Sequence, residues 1–225
     1  MKDKYESIFE AKELHRRKLM NINFNEKLQV LSTLQERAVF FGKTNVRFTF
    51  NENFRFKNII DILDELKNAN LITDYALGGS VALLYYTKPE FITDDVDIFI
   101  SFESESLIFD LSNIYDYLKT HYNAKEEKEW IVIQGIPIQF LAPDSGLHGE
   151  AFKAAQTIKV DDKTFKIFTL EYLIAIMVFL NRPKYKARLL LIMQENEFDT
   201  SKLFPILKEY DLLNKWNRLH EILKD

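Results

Sequence analysis

Cysteine is absent from all 225 residues of the chain. Disulfide bonds and thiolate metal sites are therefore excluded, and a cysteine-free composition is typical of proteins from a reducing compartment. The N-terminal stretch MKDKYESIFEAKELHRRK is too charged for a secretory signal, and the longest apolar run, around residues 170–180, is too short to span a bilayer. We therefore predict a cytoplasmic protein with no membrane partner.

An excess of positive charge is also missing. The formal net charge is −4, which argues against a protein that binds nucleic acid over its whole surface. Hydrophobic residues make up 47% of the chain and charged residues 28%, as in an ordinary globular protein. The length is sufficient for a substantial hydrophobic core.

Apolar periodicity divides the chain into three parts. Helical spacing over residues 5–42, interrupted by the Asn-rich segment 21–27, predicts a helical N-terminal arm spanning residues 1–44. Residues 45–168 mix helices with short strands and predict an α+β core, a small mixed sheet flanked by helices. Residues 169–225 predict a helical C-terminal region.

Individual elements of the core follow from the same patterns. Alternation in DVDIFISF (95–102) predicts a strand, and EWIVIQGIPIQFLA (129–142) predicts two strands joined at Gly135. Further predicted elements are a strand at 71–77, a hairpin turning at Asp161 and Asp162, a helix from about 59 that ends near 68–70, and helices at 80–86, 107–122 and 149–157.

Glycine is scarce, yet two of the six glycines are adjacent in the stretch ALGGSVALLYY. Gly78 and Gly79 stand where a predicted strand ends and a helix begins. Glycine at such a turn can adopt positive φ and allows a phosphate to approach the backbone. The helix start, with Ser80 in its first turn, offers free N–H groups to an anion. The pattern fits both a phosphate-binding turn and an ordinary tight turn.

Two acids follow at alternate positions of the next strand. Asp95 and Asp97 point to the same side, opposite Val96 and Ile98, and their Cα atoms lie roughly 6.5 Å apart. Both carboxylates can therefore reach one divalent cation such as Mg²⁺, which prefers oxygen ligands and substrate phosphates. Taken alone, the pair also fits an exposed strand face with two solvated acids, which is a common arrangement.

Together these features resemble the signature of the polymerase-β-like nucleotidyltransferase superfamily: a Gly-Gly/Ser turn, a helix, and a strand with two acids. Within it, the chain is most similar to the nucleotidyltransferases of toxin–antitoxin and abortive-infection systems. The resemblance implies a nucleotidyltransferase core that moves a nucleoside monophosphate from an NTP to a hydroxyl acceptor. Asp95 and Asp97 would hold Mg²⁺, or Mn²⁺, while Gly78, Gly79 and Ser80 would bind the nucleotide phosphates.

The chain departs from this signature at one position. The superfamily carries a third acid on a later strand, where this chain has Gln139, and an amide cannot act as a base at neutral pH. The resemblance makes Glu150 a candidate catalytic substitute and Glu129 a weaker one. For Glu150, stabilisation of the first turn of a helix is the competing interpretation.

A basic cluster lies further along, in NRPKYKARLLLI. Arg182 and Lys184, with Arg188, match a helix start found in relatives, and this resemblance predicts that they bind the nucleotide phosphates, or RNA. A basic, solvated helix end is the competing interpretation. Tyr185 stands where relatives often have an Asp.

Three functions stay open from the sequence. The leading one is a nucleotidyltransferase whose acceptor is an RNA end such as tRNA, a protein or a small molecule, and whose partner is a cognate toxin or antitoxin protein. A glycosyltransferase that binds a nucleotide sugar through Mn²⁺ also uses an Asp-x-Asp motif. The third is a degenerate, non-catalytic protein of the same fold that acts by binding a partner.

Overall fold

The computed structural model describes residues 18–19, 21–40, 56–87, 93, 95–102, 110–195 and 198–224. The helices with defined bounds are α1 (Phe24–Phe40), α2 (Phe56–Asn68), α3 (Gly79–Tyr86), α4 (Ser112–Tyr122), α5 (Leu147–Lys153), α6 (Leu170–Leu180), α7 (Pro183–Glu195), α8 (Thr200–Glu209) and α9 (Leu213–Lys224). The strands are β1 (Asp74–Leu77), β2 (Val96–Ser101), β3 (Lys125–Glu127), β4 (Trp130–Ile133), β5 (Ile136–Leu141), β6 (Gln156–Val160) and β7 (Lys163–Ile167).

The seven strands form one mixed sheet in the order β3-β4-β5-β2-β1-β7-β6. β2 lies at the centre, antiparallel to β1 and parallel to β5, and β1 is parallel to β7. The remaining pairs are antiparallel hairpin neighbours. The predicted α+β class, with helices around a mixed sheet, is therefore confirmed.

Alternation along β2 gives the sheet its two faces. Val96, Ile98 and Ile100 are fully buried on one face, and Asp97 lies on the other. The predicted turn between β4 and β5 is present, because Gln134 and Gly135 both have positive φ, 50° and 87°, as a two-residue hairpin turn requires.

Some predicted element bounds differ from the structure. The helix expected at 149–157 is α5, which begins earlier and ends at Lys153, because the segment from Gln156 pairs with β7 as strand β6. The helix expected at 107–122 begins at Ser112 within the described residues, where Asp110 accepts hydrogen bonds from the Ser112 backbone and hydroxyl. β3 was not predicted, because its KEE sequence is exposed and lacks apolar alternation.

The described part of the N-terminal arm packs on the core. Leu28 and Leu31 of α1 are buried, and the Phe24 ring lies 6.1 Å from that of Tyr85 at the end of α3. Lys27 Nζ donates a hydrogen bond to the Tyr85 carbonyl oxygen at 3.2 Å. Residues 1–17 and 41–55, with the predicted arm boundary, lie outside the described residues.

The C-terminal helices build the remaining wall of the core. Most of α6 is buried, and it packs against α3, α5, α7, α8 and α9. The predicted run of helices from residue 169 is thus present. Within the described residues, no helix is both long and apolar enough to cross a membrane.

Candidate functional site

The glycine turn is built against the carboxylate of Asp97. Gly79 has φ +55°, a conformation that residues with a Cβ rarely adopt, and a Cβ there would overlap Asp97 Oδ2. The Gly78 backbone N–H donates to the Asp97 carbonyl oxygen at 3.0 Å. The turn and the central strand are therefore fixed to each other by a backbone bond and by direct contact.

Gly78 is required for a different reason. A Cβ on Gly78 would lie 2.7 Å from Phe99 Cε2. The rings of Phe99 and Phe168 lie 4.6 Å apart, and the Phe168 backbone N–H donates to the Leu77 carbonyl oxygen at 2.9 Å. This pair of aromatic rings packs against the turn and leaves room only for glycine at position 78.

The start of α3 offers a binding position for an anion. Gly78 is the N-cap residue, and no side chain within the described residues caps this helix. Ser80, in the first turn, is only 6% exposed. Uncapped N–H groups at a helix N-terminus and the positive end of the helix dipole favour phosphate.

The two acids lie together on the face beside this turn. Burial and the negative charge of Asp95 raise the pKa of Asp97 to about 7, although Lys184, Arg188 and Arg182 oppose this increase. Both side chains are half-buried. A carboxylate pair offers oxygen ligands, which a hard divalent cation such as Mg²⁺ prefers.

Neighbouring side chains fix the position of Asp95. The Trp130 indole Nε1–H donates to Asp95 Oδ2 at 3.2 Å, and the buried Thr93 hydroxyl donates to the Asp95 carbonyl oxygen at 3.0 Å. Gln139 pairs with Asp97 across β5 and β2. The contribution of Trp130 was not predicted, because a lone tryptophan in a strand indicates core packing until the strand order is known.

A cavity of about 120 Å³ brings these groups together. The lining combines apolar residues of α3 and α6, the two carboxylates, and basic residues at and just before the start of α7. The lining residues are Gly79, Ser80, Leu83, Asp95, Asp97, Gln139, Leu173, Ile176, Met177, Arg182, Lys184, Tyr185 and Arg188.

A sharp reversal of the chain after α6 places the basic residues at the cavity. Asn181 has left-handed backbone angles and ends α6, so Arg182 and α7 turn back over the acids. The Arg188 guanidinium is buried and lies 5.8 Å from the centre of the Tyr185 ring, while the Lys184 Nζ lies 5.6 Å from the same ring. Both cations thus lie within 6 Å of the centre of one aromatic ring that lines the cavity.

The structure does not bring Glu150 to the cavity. Glu150 lies in the first turn of α5, where its Oε1 is 2.8 Å from Lys153 Nζ, and it is not a lining residue. Glu129 is exposed and does not line the cavity either. Over the described residues, no group of three or more His, Asp or Glu side chains is placed to hold a metal. The first turn of α5 and the ion pair with Lys153 agree with the competing interpretation of Glu150.

Comparison with known proteins adds one structural likeness. No family model matches the sequence, and no curated protein sequence matches it significantly. The crystal structure of an antigenic nucleotidyltransferase-like protein from Paracoccidioides brasiliensis superposes with a TM-score of 0.50 at 16% identity, covering 75% of this chain and 91% of that chain. The fold is nucleotidyltransferase-like. At this identity the likeness concerns the nucleotidyltransferase-like fold alone.

Proposed function

We propose that this protein is a Mg²⁺-dependent nucleotidyltransferase that moves a nucleoside monophosphate from an NTP to a hydroxyl group. The supporting observation is the meeting of three parts in one cavity: the Gly79 turn, the Asp95–Asp97 pair and the basic start of α7. The nucleotidyltransferase-like fold agrees with this proposal.

Each part of the cavity has a separate task in this proposal. Asp95 and Asp97 would hold Mg²⁺, or Mn²⁺, and the bound cation would neutralise charge on the phosphates. The N–H groups of Gly79 and Ser80 would bind the terminal phosphates. Arg182 and Lys184 would neutralise the remaining negative charge of the triphosphate.

The reaction is an in-line displacement at the α-phosphorus. The acceptor oxygen forms a bond to this phosphorus, and the bond to the bridging oxygen of the β-phosphate breaks, so pyrophosphate leaves. The acceptor hydroxyl loses its proton to water. Positioning and charge neutralisation would supply the acceleration, since among the described residues the cavity lining contains no carboxylate besides Asp95 and Asp97.

The presence of Gln139 favours the alternative of a degenerate, non-catalytic protein of this fold. It lies beside Asp97 in the sheet register and cannot accept the acceptor proton at neutral pH. A degenerate protein of this fold would then bind a nucleotide and act through a partner protein without transfer. Nucleotide binding is common to both alternatives, whereas transfer of label separates them.

The acceptor and the partner are proposed from the motif resemblance only. We propose an RNA end such as that of tRNA, a protein hydroxyl or a small molecule as acceptor. A cognate toxin or antitoxin protein is the proposed partner, since the glycine turn and the acidic strand resemble those of toxin–antitoxin nucleotidyltransferases.

Calorimetry with each of the four NTPs and with UDP-sugars, with and without Mg²⁺, tests the nucleotide site. We expect binding of at least one NTP that requires Mg²⁺ and is lost in Asp95→Asn. Preference for a UDP-sugar would support the glycosyltransferase alternative. Absence of binding by every NTP would contradict the proposal.

A further inference from the structure

Three residues form a row across neighbouring strands on the face that carries the acids. Asp97 of β2 pairs with Gln139 of β5, and Ile131 of β4 pairs with Ile138 of β5. One step back along β4 therefore places Trp130 opposite Gln139. From there the indole reaches past β5 and donates its N–H to Asp95 Oδ2 at 3.2 Å.

In this hydrogen bond the indole donates and the Asp95 carboxylate accepts, which is compatible with a carboxylate that also binds a cation. An indole N–H is a donor only, so it can bond to a carboxylate oxygen without competing for a cation. It occupies Oδ2 of Asp95 and leaves Oδ1 available. Gln139, between Trp130 and Asp97, adds no negative charge to this side of the site. Trp130 thus contacts the Asp95 carboxylate itself, whereas the Thr93 hydroxyl bonds to the Asp95 backbone carbonyl oxygen.

We propose that Trp130 is a positioning residue that holds the Asp95 carboxylate in the orientation needed to bind a divalent cation. This inference rests on the proposed function, since it assumes that Asp95 is a cation ligand. Groups that hydrogen-bond to metal ligands orient them, and their removal typically weakens metal affinity by roughly 10- to 100-fold.

The chain offers a matched control, because it contains only two tryptophans. Trp216 lies in α9, is 4% exposed and packs edge-on against Phe198, away from the cavity lining. Trp130→Phe removes the N–H and keeps an aromatic ring, and Trp216→Phe makes the same chemical change elsewhere. Mn²⁺ serves as the probe in calorimetric titrations of the full chain and both variants, each first compared by circular dichroism and melting temperature.

We expect Trp130→Phe to weaken Mn²⁺ affinity roughly 10- to 100-fold, with Trp216→Phe equal to the parent. Equal affinity of Trp130→Phe and the parent would overturn the inference and leave the proposed function standing. A parent protein that binds no Mn²⁺ would overturn the metal dependence of the proposed function, and the inference with it.

Fluorescence gives a second measurement that does not depend on how Trp130→Phe folds. In Trp216→Phe the only tryptophan is Trp130, and in Trp130→Phe the only one is Trp216. Paramagnetic Mn²⁺ quenches an indole at short range, so quenching should follow Mn²⁺ binding in Trp216→Phe. Adding Asp95→Asn to that variant should abolish the quenching. Calorimetric Mn²⁺ binding without any change in Trp130 emission would contradict the inference.

Discussion

Gly79 and Asp97 share a space too small for any further side-chain atom at position 79. The sequence pattern allows a phosphate to approach this glycine, and the structure adds that the Asp97 carboxylate occupies the place of a Cβ at position 79. One residue thus connects the glycine turn to the acidic strand. Replacement of Gly79 should therefore disturb both parts at once.

Gly79→Ala tests this connection, with Gly135→Ala as its control. Both glycines have positive φ, but a Cβ on Gly135 has nothing within 4 Å. Alanine in this conformation costs about 1–3 kcal/mol at either site. We expect both variants to lose stability in urea unfolding, and only Gly79→Ala to lose at least about tenfold in Mg²⁺-dependent NTP affinity, a change of about 1.4 kcal/mol. Equal NTP affinity in the two variants would reduce Gly79 to a turn residue.

The ionised carboxylate of Asp97 is expected to lower the stability of the folded protein. Its pKa of about 7 lies above the usual value near 3.8 for an aspartic acid, so the folded state binds this proton more tightly than the unfolded chain. Without divalent cation, the contribution of Asp97 to stability should therefore fall as pH rises from about 4 to 7, and it is fully lost above pH 7.

Asp97→Asn keeps the size of the side chain and removes this charge. In EDTA at pH 8, we expect its melting temperature to exceed that of the parent by at least about 2 °C, a gain that disappears near pH 4. Mg²⁺-dependent nucleotide binding should be lost in the same variant. Asp116→Asn, on the exposed face of α4, controls for the change in net charge. A melting temperature below the parent at pH 8 would contradict this account of Asp97.

At the scale of elements, α7 supplies the positive charge of the cavity. The position of this helix depends on the left-handed Asn181, a residue type that favours such turns. The sequence predicts the basic cluster, but only the turn and the packing of α6 explain how it faces the acids. From the sequence, the basic cluster fits a phosphate site and a solvated helix end equally well. The direction in which its side chains point depends on tertiary packing.

Lys184→Gln should lower NTP affinity about tenfold, as expected for a charge-assisted contact. Lys186→Gln, on the same helix but outside the cavity lining, should leave NTP affinity unchanged. Since Lys184 is proposed to contact phosphates, its effect should be larger for NTP than for NMP in calorimetry. Equal effects of the two variants on NTP affinity would contradict a specific phosphate contact of Lys184. They would indicate that α7 acts only through its overall positive charge.

Elements with strong local patterns are those that the sequence predicts well. β2, the β4–β5 hairpin and α6 carry alternation, positive-φ turn residues or a continuous apolar run, and each is present. β3 consists of KEE and is a strand only because β4 pairs with it. The predicted helix through residue 157 fails for a similar reason, since pairing with β7 determines β6.

At the scale of the whole molecule, strand order determines the chemistry. β2 lies between β1 and β5, so Asp97 faces Gln139 and Trp130 can reach Asp95. These pairings join residues more than thirty positions apart, and no local pattern encodes them. The motif pair Gly78–Gly79 and Asp95–Asp97 was therefore predictable, whereas Trp130 and the distance of Glu150 from the cavity required the fold.

The central proposal for the whole molecule is transfer of a nucleoside monophosphate. NTPs labelled at either the α- or the γ-phosphate test it most directly. The protein would be incubated with Mg²⁺, cell extract and each NTP labelled at either the α- or the γ-phosphate. We predict that label from an α-labelled NTP enters an acceptor, that γ-label does not, and that Asp97→Asn abolishes transfer. Incorporation of γ-label, or no incorporation by a protein that binds Mg²⁺ and NTP, would contradict the proposed reaction.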